Sequence, residues 1–163
     1  MITLDYVELL EEKTPVDADI FLAGSTLVMT GSDHSDLMQV YPECGDRLTA
    51  TIHDGNEQIK MVLDASAVDR IIMQGGAGDD ILENQTDIES VLQGGAGNDV
   101  LLGGSGEDVL ADGSGSDVAK GGDGKDVVQA ADDGDTDALS GGDAVDLVIG
   151  ELTETEQEWW RLS

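Results

Sequence analysis

Cysteine is nearly absent from this chain. Cys44 is the only one in 163 residues, which excludes an intrachain disulfide but leaves the redox compartment open. That thiol is expected in the core rather than as a nucleophile. Basic residues are scarce too, 7 against 36 acidic, giving a formal net charge of -29. Such a balance excludes DNA, RNA and anionic bilayers as partners, because each requires a basic surface. No run of eighteen apolar residues occurs, so membrane insertion is not expected. The opening MITLDYVELLEEK lacks a basic region ahead of an apolar core and does not read as a secretory signal peptide. Histidine is limited to His34 and His53, neither close in sequence to a candidate nucleophile, so no catalytic residue is assigned and no enzyme is expected. Aromatic residues make up only 3%, which with this charge would mean disorder in an ordinary sequence.

What the chain does contain is a nine-residue unit repeated seven times between Gly75 and Ile149. GGAGDDILE starts at Gly75, and after a spacer over 84–93 come GGAGNDVLL, GGSGEDVLA, DGSGSDVAK and GGDGKDVVQ, ungapped from Gly94 to Gln129. Ala130 and Ala131 break the count before DDGDTDALS and GGDAVDLVI. A unit this short cannot bury an apolar face alone, so the units must stack as a solenoid. Place six is always aspartate: Asp80, Asp99, Asp108, Asp117, Asp126, Asp137 and Asp146. Place eight is always apolar (Leu82, Leu101, Leu110, Ala119, Val128, Leu139, Val148) and is expected to point inward from a very short strand. Glycines at places one, two and four let the preceding turn expose its carbonyl oxygens. These are Gly75, Gly76, Gly78, Gly94, Gly95, Gly97, Gly103, Gly104, Gly106, Gly113, Gly115, Gly121, Gly122 and Gly124. Carbonyls and one carboxylate per turn form a hard-oxygen site suited to calcium rather than to zinc or copper. If two units make one coil, calcium lies between turns of alternate units, as for Asp99 with Asp117 and Asp108 with Asp126. Turn geometry alone could also account for glycine and aspartate.

The pattern GGxGxDxUx, with U apolar, resembles the calcium-binding repeats-in-toxin (RTX) nonapeptide. The resemblance implies an all-β fold, a right-handed parallel β-roll with several calcium ions between successive turns, in a protein exported by type I secretion. It places the ligands on the seven aspartates and the glycines named above. The units at Gly75, Gly94, Gly103 and Gly121 match best, and Asp112 is a mild replacement of a first glycine. Asp132 and Ala144 mark the two units that depart further, so Asp137 and Asp146 are expected to matter less.

Outside the array the text is weaker. Residues 1–24 read as an N-terminal cap, where a helix after Thr3 competes with a strand. Residues 25–74 read as degenerate coils or a β-rich part, 75–150 as the calcium-binding roll, and 151–163 as a cap or export signal. GSDHSDLMQV at Gly31–Val40 fits the nine-place frame, with Asp36 at place six and Met38 at place eight. Asp33, His34 and Asp36 are nevertheless expected to be turn residues, His34 facing solvent. Strands over 48–52 and 59–63 either pair as a hairpin or lie in successive coils. VDRIIMQ and IESVLQ both lead into GG, which sets Met73 and Leu92 at place eight and puts Ile71 and Ser90 where the aspartate should be. Place seven (Ile81, Val100, Val109, Val118, Val127, Ala138, Leu147) is apolar or small, from strand propensity or as a face for a protein, a glycan or a second copy. In the tail, Thr153 and Glu156 form a capping box ahead of Trp159 and Trp160.

The expected protein is therefore a secreted, calcium-folded module with a structural or binding role, reaching the extracellular side without a signal peptide. The competing reading is a small accessory module of a polysaccharide-modifying or other extracellular enzyme.

Overall fold

The computed structural model describes residues 18–55, 57–131 and 133–150. The expectations for Thr3, Asp132 and the 151–163 tail lie outside these residues.

The described chain is all-β, with one 3-10 turn at Ala65–Ala67. In order the strands are β1 (Asp19–Ala23), β2 (Thr26–Thr30), β3 (Asp36–Glu43), β4 (Arg47–Asp54), β5 (Glu57–Asp64), β6 (Arg70–Ala77) and β7 (Ile81–Asn84). They continue as β8 (Ser90–Ala96), β9 (Val100–Gly104), β10 (Val109–Ser114), β11 (Val118–Gly122), β12 (Val127–Gln129), β13 (Ala138–Gly142) and β14 (Leu147–Ile149). Two seven-stranded sheets face each other, ordered β1-β2-β6-β8-β10-β12-β14 and β13-β11-β9-β7-β3-β4-β5. Successive strands alternate between the sheets from β6 onward, so each pair from β6–β7 to β12–β13 is one coil of a parallel β-solenoid. β2 and β3 make the coil before them, pairing in parallel with β6 and β7.

The nine-place frame explains this stacking. In the first sheet Met29, Met73, Leu92, Leu110, Val128 and Val148 align across five strand pairs. In the second, Met38, Leu82, Leu101, Ala119 and Leu139 do the same. Their side chains fill the space between the sheets and are fully buried as far as Val128. Each such leucine contributes about 2 kcal/mol of apolar burial, so the column supplies most of what holds coils of such short strands together. Leu139, packed against this core, is only partly buried and Val148 is 46% exposed, so the place-eight column loses its full burial at the last coil. β14 pairs only with β12, so one flank of Val148 has no strand beside it among the described residues.

Coil length follows the sequence spacing. Val91 pairs with Val109 and Val100 with Val118, eighteen residues apart. Val118 pairs with Ala138, twenty apart, so the turn between β12 and β13 absorbs Ala130 and Ala131. Outward apolar ladders run along both sheets, including Ile72–Val91–Val109–Val127–Leu147. The stack of branched residues favours the extended backbone of each short strand.

β4 and β5 form an antiparallel hairpin inserted after β3, resolving the alternative that the strand pair left open. Leu48, Ala50 and Ile52 from β4 join the core, and β1 packs against this hairpin. Cys44 is exposed, contrary to the core position expected of it. It sits at the tip between β3 and β4, where Gly45 (φ 85°) and Asp46 (φ 61°) reverse the chain away from the core.

Candidate metal centre

Turns of alternate units stack along the two long edges of the solenoid. The edge that leads from the first sheet to the second carries Asp36, Asp80, Asp99, Asp117 and Asp137, whereas the return edge carries Ser90, Asp108, Asp126 and Asp146. On the first edge the amide of each aspartate donates to the next coil's carboxylate. Asp36 N bonds Asp80 Oδ1 at 2.8 Å, Asp80 N bonds Asp99 Oδ1 at 2.8 Å, Asp99 N bonds Asp117 Oδ1 at 2.6 Å and Asp117 N bonds Asp137 Oδ1 at 3.0 Å. The return edge repeats the ladder: Ser90 N to Asp108 Oδ1 at 2.8 Å, Asp108 N to Asp126 Oδ1 at 2.9 Å and Asp126 N to Asp146 Oδ1 at 3.0 Å. Each of these carboxylates thus spends one oxygen on aligning two coils.

In five of these seven carboxylates the other oxygen is buried and has no partner. Oδ2 of Asp80, Asp99, Asp108, Asp117 and Asp126 is buried without a hydrogen bond, as are Oδ2 of Asp112 and Oδ1 of Asp36. Orphaned charged oxygens are among the costliest groups a protein can bury. One turn of the same solenoid that has Ser90 instead of a place-six aspartate shows the contrast. Between β7 and β8, Asn84 Oδ1 accepts from the Thr86 amide and hydroxyl, Asn84 Nδ2 donates to the Ile88 carbonyl, and Thr86 Oγ1 accepts from the Ile88 amide. That turn satisfies itself with neutral groups. The aspartate turns leave a vacant anionic oxygen on each step.

The glycines have two separate reasons to be there. At place one, Gly103 carries no unusual dihedral, but an added Cβ would fall 2.6 Å from Asp108 Oδ2 and from the Gly121 carbonyl oxygen. Gly75, Gly94 and Gly121 meet their own units' aspartates in the same way, so the carboxylate lies folded over the first glycine of its turn. At places two and four the reason is mostly backbone. Gly95 has φ +122°, and a Cβ on it would overlap the carbonyl oxygen of Gly76 one coil before. Gly97, Gly113, Gly115, Gly122 and Gly124 face the carbonyls of Gly78, Gly95, Gly97, Gly104 and Gly106 likewise, so carbonyl oxygens form columns along the solenoid axis. Gly106 is the exception, with an ordinary φ and a close approach to Ile88 O instead.

Burial without a counter-charge makes these carboxyls weaker acids. Desolvation, with neighbouring carboxylates adding to it, pushes Asp80 up to about 7 and Asp108 and Asp117 to about 6, against their hydrogen bonds. Asp36, Asp99, Asp112 and Asp126 are raised for the same reason. A folded-state pKa above the unfolded value means that the calcium-free fold binds protons more tightly than the unfolded chain. Its stability is then fullest below about pH 4 and is lost as pH rises through about 6 to 7. Calcium-free protein is expected to gain β structure by circular dichroism as pH falls from 7.5 to 4.5. A β signal that is constant or falls on acidification would count against the buried carboxylates.

The structure places all seven repeat aspartates on these two edges, with Asp137 and Asp146 half-buried at the far end. It brings Asp99 next to Asp117 and Asp108 next to Asp126. Ile71 and Ser90 pair across β6 and β8 at the aspartate place. Two residues outside the expected set also belong here. His34 and Asp33 are exposed turn residues as expected, but Asp36 is buried at the head of the first ladder. Its nine-place register with Met38 was the available signal. Asp112 is buried beside Asp117 and Asp137, one carboxylate oxygen of each lying within 4.8 Å of the others.

Two facing parallel sheets, closed at each edge by columns of carbonyl and unpaired carboxylate oxygens, define a class of protein, the calcium-binding parallel β-roll. Hard oxygens of this kind fit calcium, whose flexible shell takes six to eight of them. Residues 72–83, 90–111 and 102–137 match the model of a family described as RTX calcium-binding nonapeptide repeat (4 copies). The matched stretches, which hold most of the repeat array, carry the repeat of that family. No curated protein and no solved structure matches the chain.

Proposed function

We propose that this chain is a calcium-folded roll whose stacked turns become stable only when calcium supplies the missing counter-charge. The observation that carries the reading is the row of buried carboxylate oxygens without partners on both edges. In this reading the ions lie between successive turns, held by the place-six aspartates and the glycine carbonyls of 75–150. The coil before them shares one step through Asp36. Members of the family are typically secreted. A chain that cannot close its carboxylate columns without calcium would cross an exporter unfolded and fold outside, by a route that needs no signal peptide. Its role there is structural or binding.

Asp108→Asn tests the ligand assignment. Asparagine retains an oxygen to accept from the Ser90 amide and hydroxyl, so the ladder of the return edge can persist. It removes one negative charge from the steps that Asp108 shares. Calorimetric titration is expected to show fewer ions bound, or affinity at those steps reduced about tenfold, because charge count sets calcium affinity. Equal stoichiometry and affinity in Asp108→Asn and the parent would refute the assignment.

A further inference from the structure

Asp112 occupies place one of its unit, at the inner edge of β10. On the same solenoid edge that place is Gly31, Gly75 or Gly94, where even a Cβ would lie under 3.0 Å from the carboxylate of the unit's own aspartate. Here a whole second carboxylate takes up the space beside Asp117. Asp112 is only 1% exposed. Its Oδ1 accepts from the amides of Gly113 at 2.7 Å and Ala131 at 2.9 Å, while its Oδ2 is buried and unpartnered. Asp117, 2% exposed, accepts from the Asp99 amide through Oδ1 and likewise leaves Oδ2 unpartnered. Asp137 Oδ1 accepts from the Asp117 amide in the next coil. The three carboxylates converge, with one oxygen of each within 4.8 Å of the others. None of them forms an ion pair with a basic residue among the described residues.

We propose that Asp112, Asp117 and Asp137 form a three-carboxylate site for a hard cation of calcium's size, which binds calcium more tightly than the two-carboxylate steps elsewhere on the roll. This rests on the calcium reading above and goes beyond it, because the pattern GGxGxDxUx has glycine, not a carboxylate, at place one. Among the described residues no other point on either edge gathers three carboxylates this closely, and ligand charge is what tunes an oxygen site from weak to strong. The two amides on Asp112 orient its carboxylate but do not neutralise it. The site is therefore the first to fill as calcium rises. A trivalent ion of similar size gains still more there, since each added unit of cation charge meets three carboxylates rather than two.

The test is titration of the full chain with calcium alone, and separately with terbium alone read by its own luminescence. Parent, Asp112→Gly and Asp112→Asn are compared. Glycine restores the residue of Gly75 and Gly94, whereas asparagine keeps the oxygen that accepts from Gly113 and Ala131 and removes only the charge. The parent is expected to bind one ion at least about tenfold more tightly than the rest. Both variants should lose that tight class, with the remaining sites within about twofold of the parent. The proposal is overturned if the parent shows one uniform class, or if both variants keep the tight ion. It is also overturned if Asp112→Gly weakens binding but Asp112→Asn does not, because hydrogen bonding would then explain the residue. Should Asp112→Gly fail to fold, Asp112→Asn decides alone. A parent that binds no calcium at all would instead fail the wider reading.

Discussion

Removing calcium with excess chelator at pH 7.5 is expected to abolish most of the β signal in far-UV circular dichroism, and restoring calcium to return it. The argument is one of magnitudes. Six repeat-array aspartates leave a buried carboxylate oxygen unpartnered: Asp80, Asp99, Asp108, Asp112, Asp117 and Asp126. An uncompensated buried charge destabilises a fold by about 3–5 kcal/mol. A domain's whole net stability is about 5–15 kcal/mol. Two or three such groups left ionised would be of the same size as that whole stability, and the net charge of -29 adds repulsion across the surface. Against this stand strands as short as three residues in β12 and β14, which hold only by stacking. Calcium reverses the balance, since each site at a hundredfold excess over its dissociation constant adds about 2.7 kcal/mol. Folding and binding then become one event, as in other small metal-dependent domains. Protein that keeps its full β spectrum in chelator at this pH would show that the roll stands without the metal.

Gly95→Ala is expected to destabilise the roll strongly for the addition of a single methyl group. Gly95 combines φ +122°, a region closed to side chains, with a neighbouring coil whose Gly76 carbonyl oxygen occupies the place of a Cβ. That neighbour is backbone and has no rotamer to move into. The strained dihedral alone costs about 1–3 kcal/mol. Relieving the overlap means separating two coils, which strains the β6–β8 register at Gly76 and Gly95. We expect a total above about 3 kcal/mol, or at least 6 °C in the melting temperature at saturating calcium. Gly24→Ala is the control, for it too has a positive φ, +68°, but meets nothing within 4 Å. It should cost about 1 kcal/mol, the left-handed penalty by itself. If the two variants melt within about 2 °C of each other, coil-to-coil contact at Gly95 is not what the structure shows.

Much of the fold was legible beforehand because the repeat is local. Each nine-residue unit carries its own turn, ligand and inward residue, so a period read along the chain becomes a period in space once two units make a coil. Eighteen-residue spacing therefore paired Val100 with Val118, and Asp99 met Asp117 without any long-range information. The echo of VDRIIMQ in IESVLQ set Met73 beside Leu92 for the same reason.

What the tertiary structure decided lies where locality fails. Leu37 pairs with Ile81, forty-four residues on, because the β4–β5 hairpin interrupts the stack between them. No period can announce a partner at that distance, so Asp36, although in register with Met38, read as a turn residue when it heads a buried ladder. The turn that leads from β3 into this hairpin carries Cys44 out into solvent. Composition had placed that thiol inside, but composition knows nothing of which turn a residue falls on. Asp112 shows the limit most plainly. In the repeat it is one letter in place of glycine. Only the stacking of two coils reveals that its carboxylate enters a site already holding two others, since burial and convergence are properties of neighbours that the chain reaches by folding.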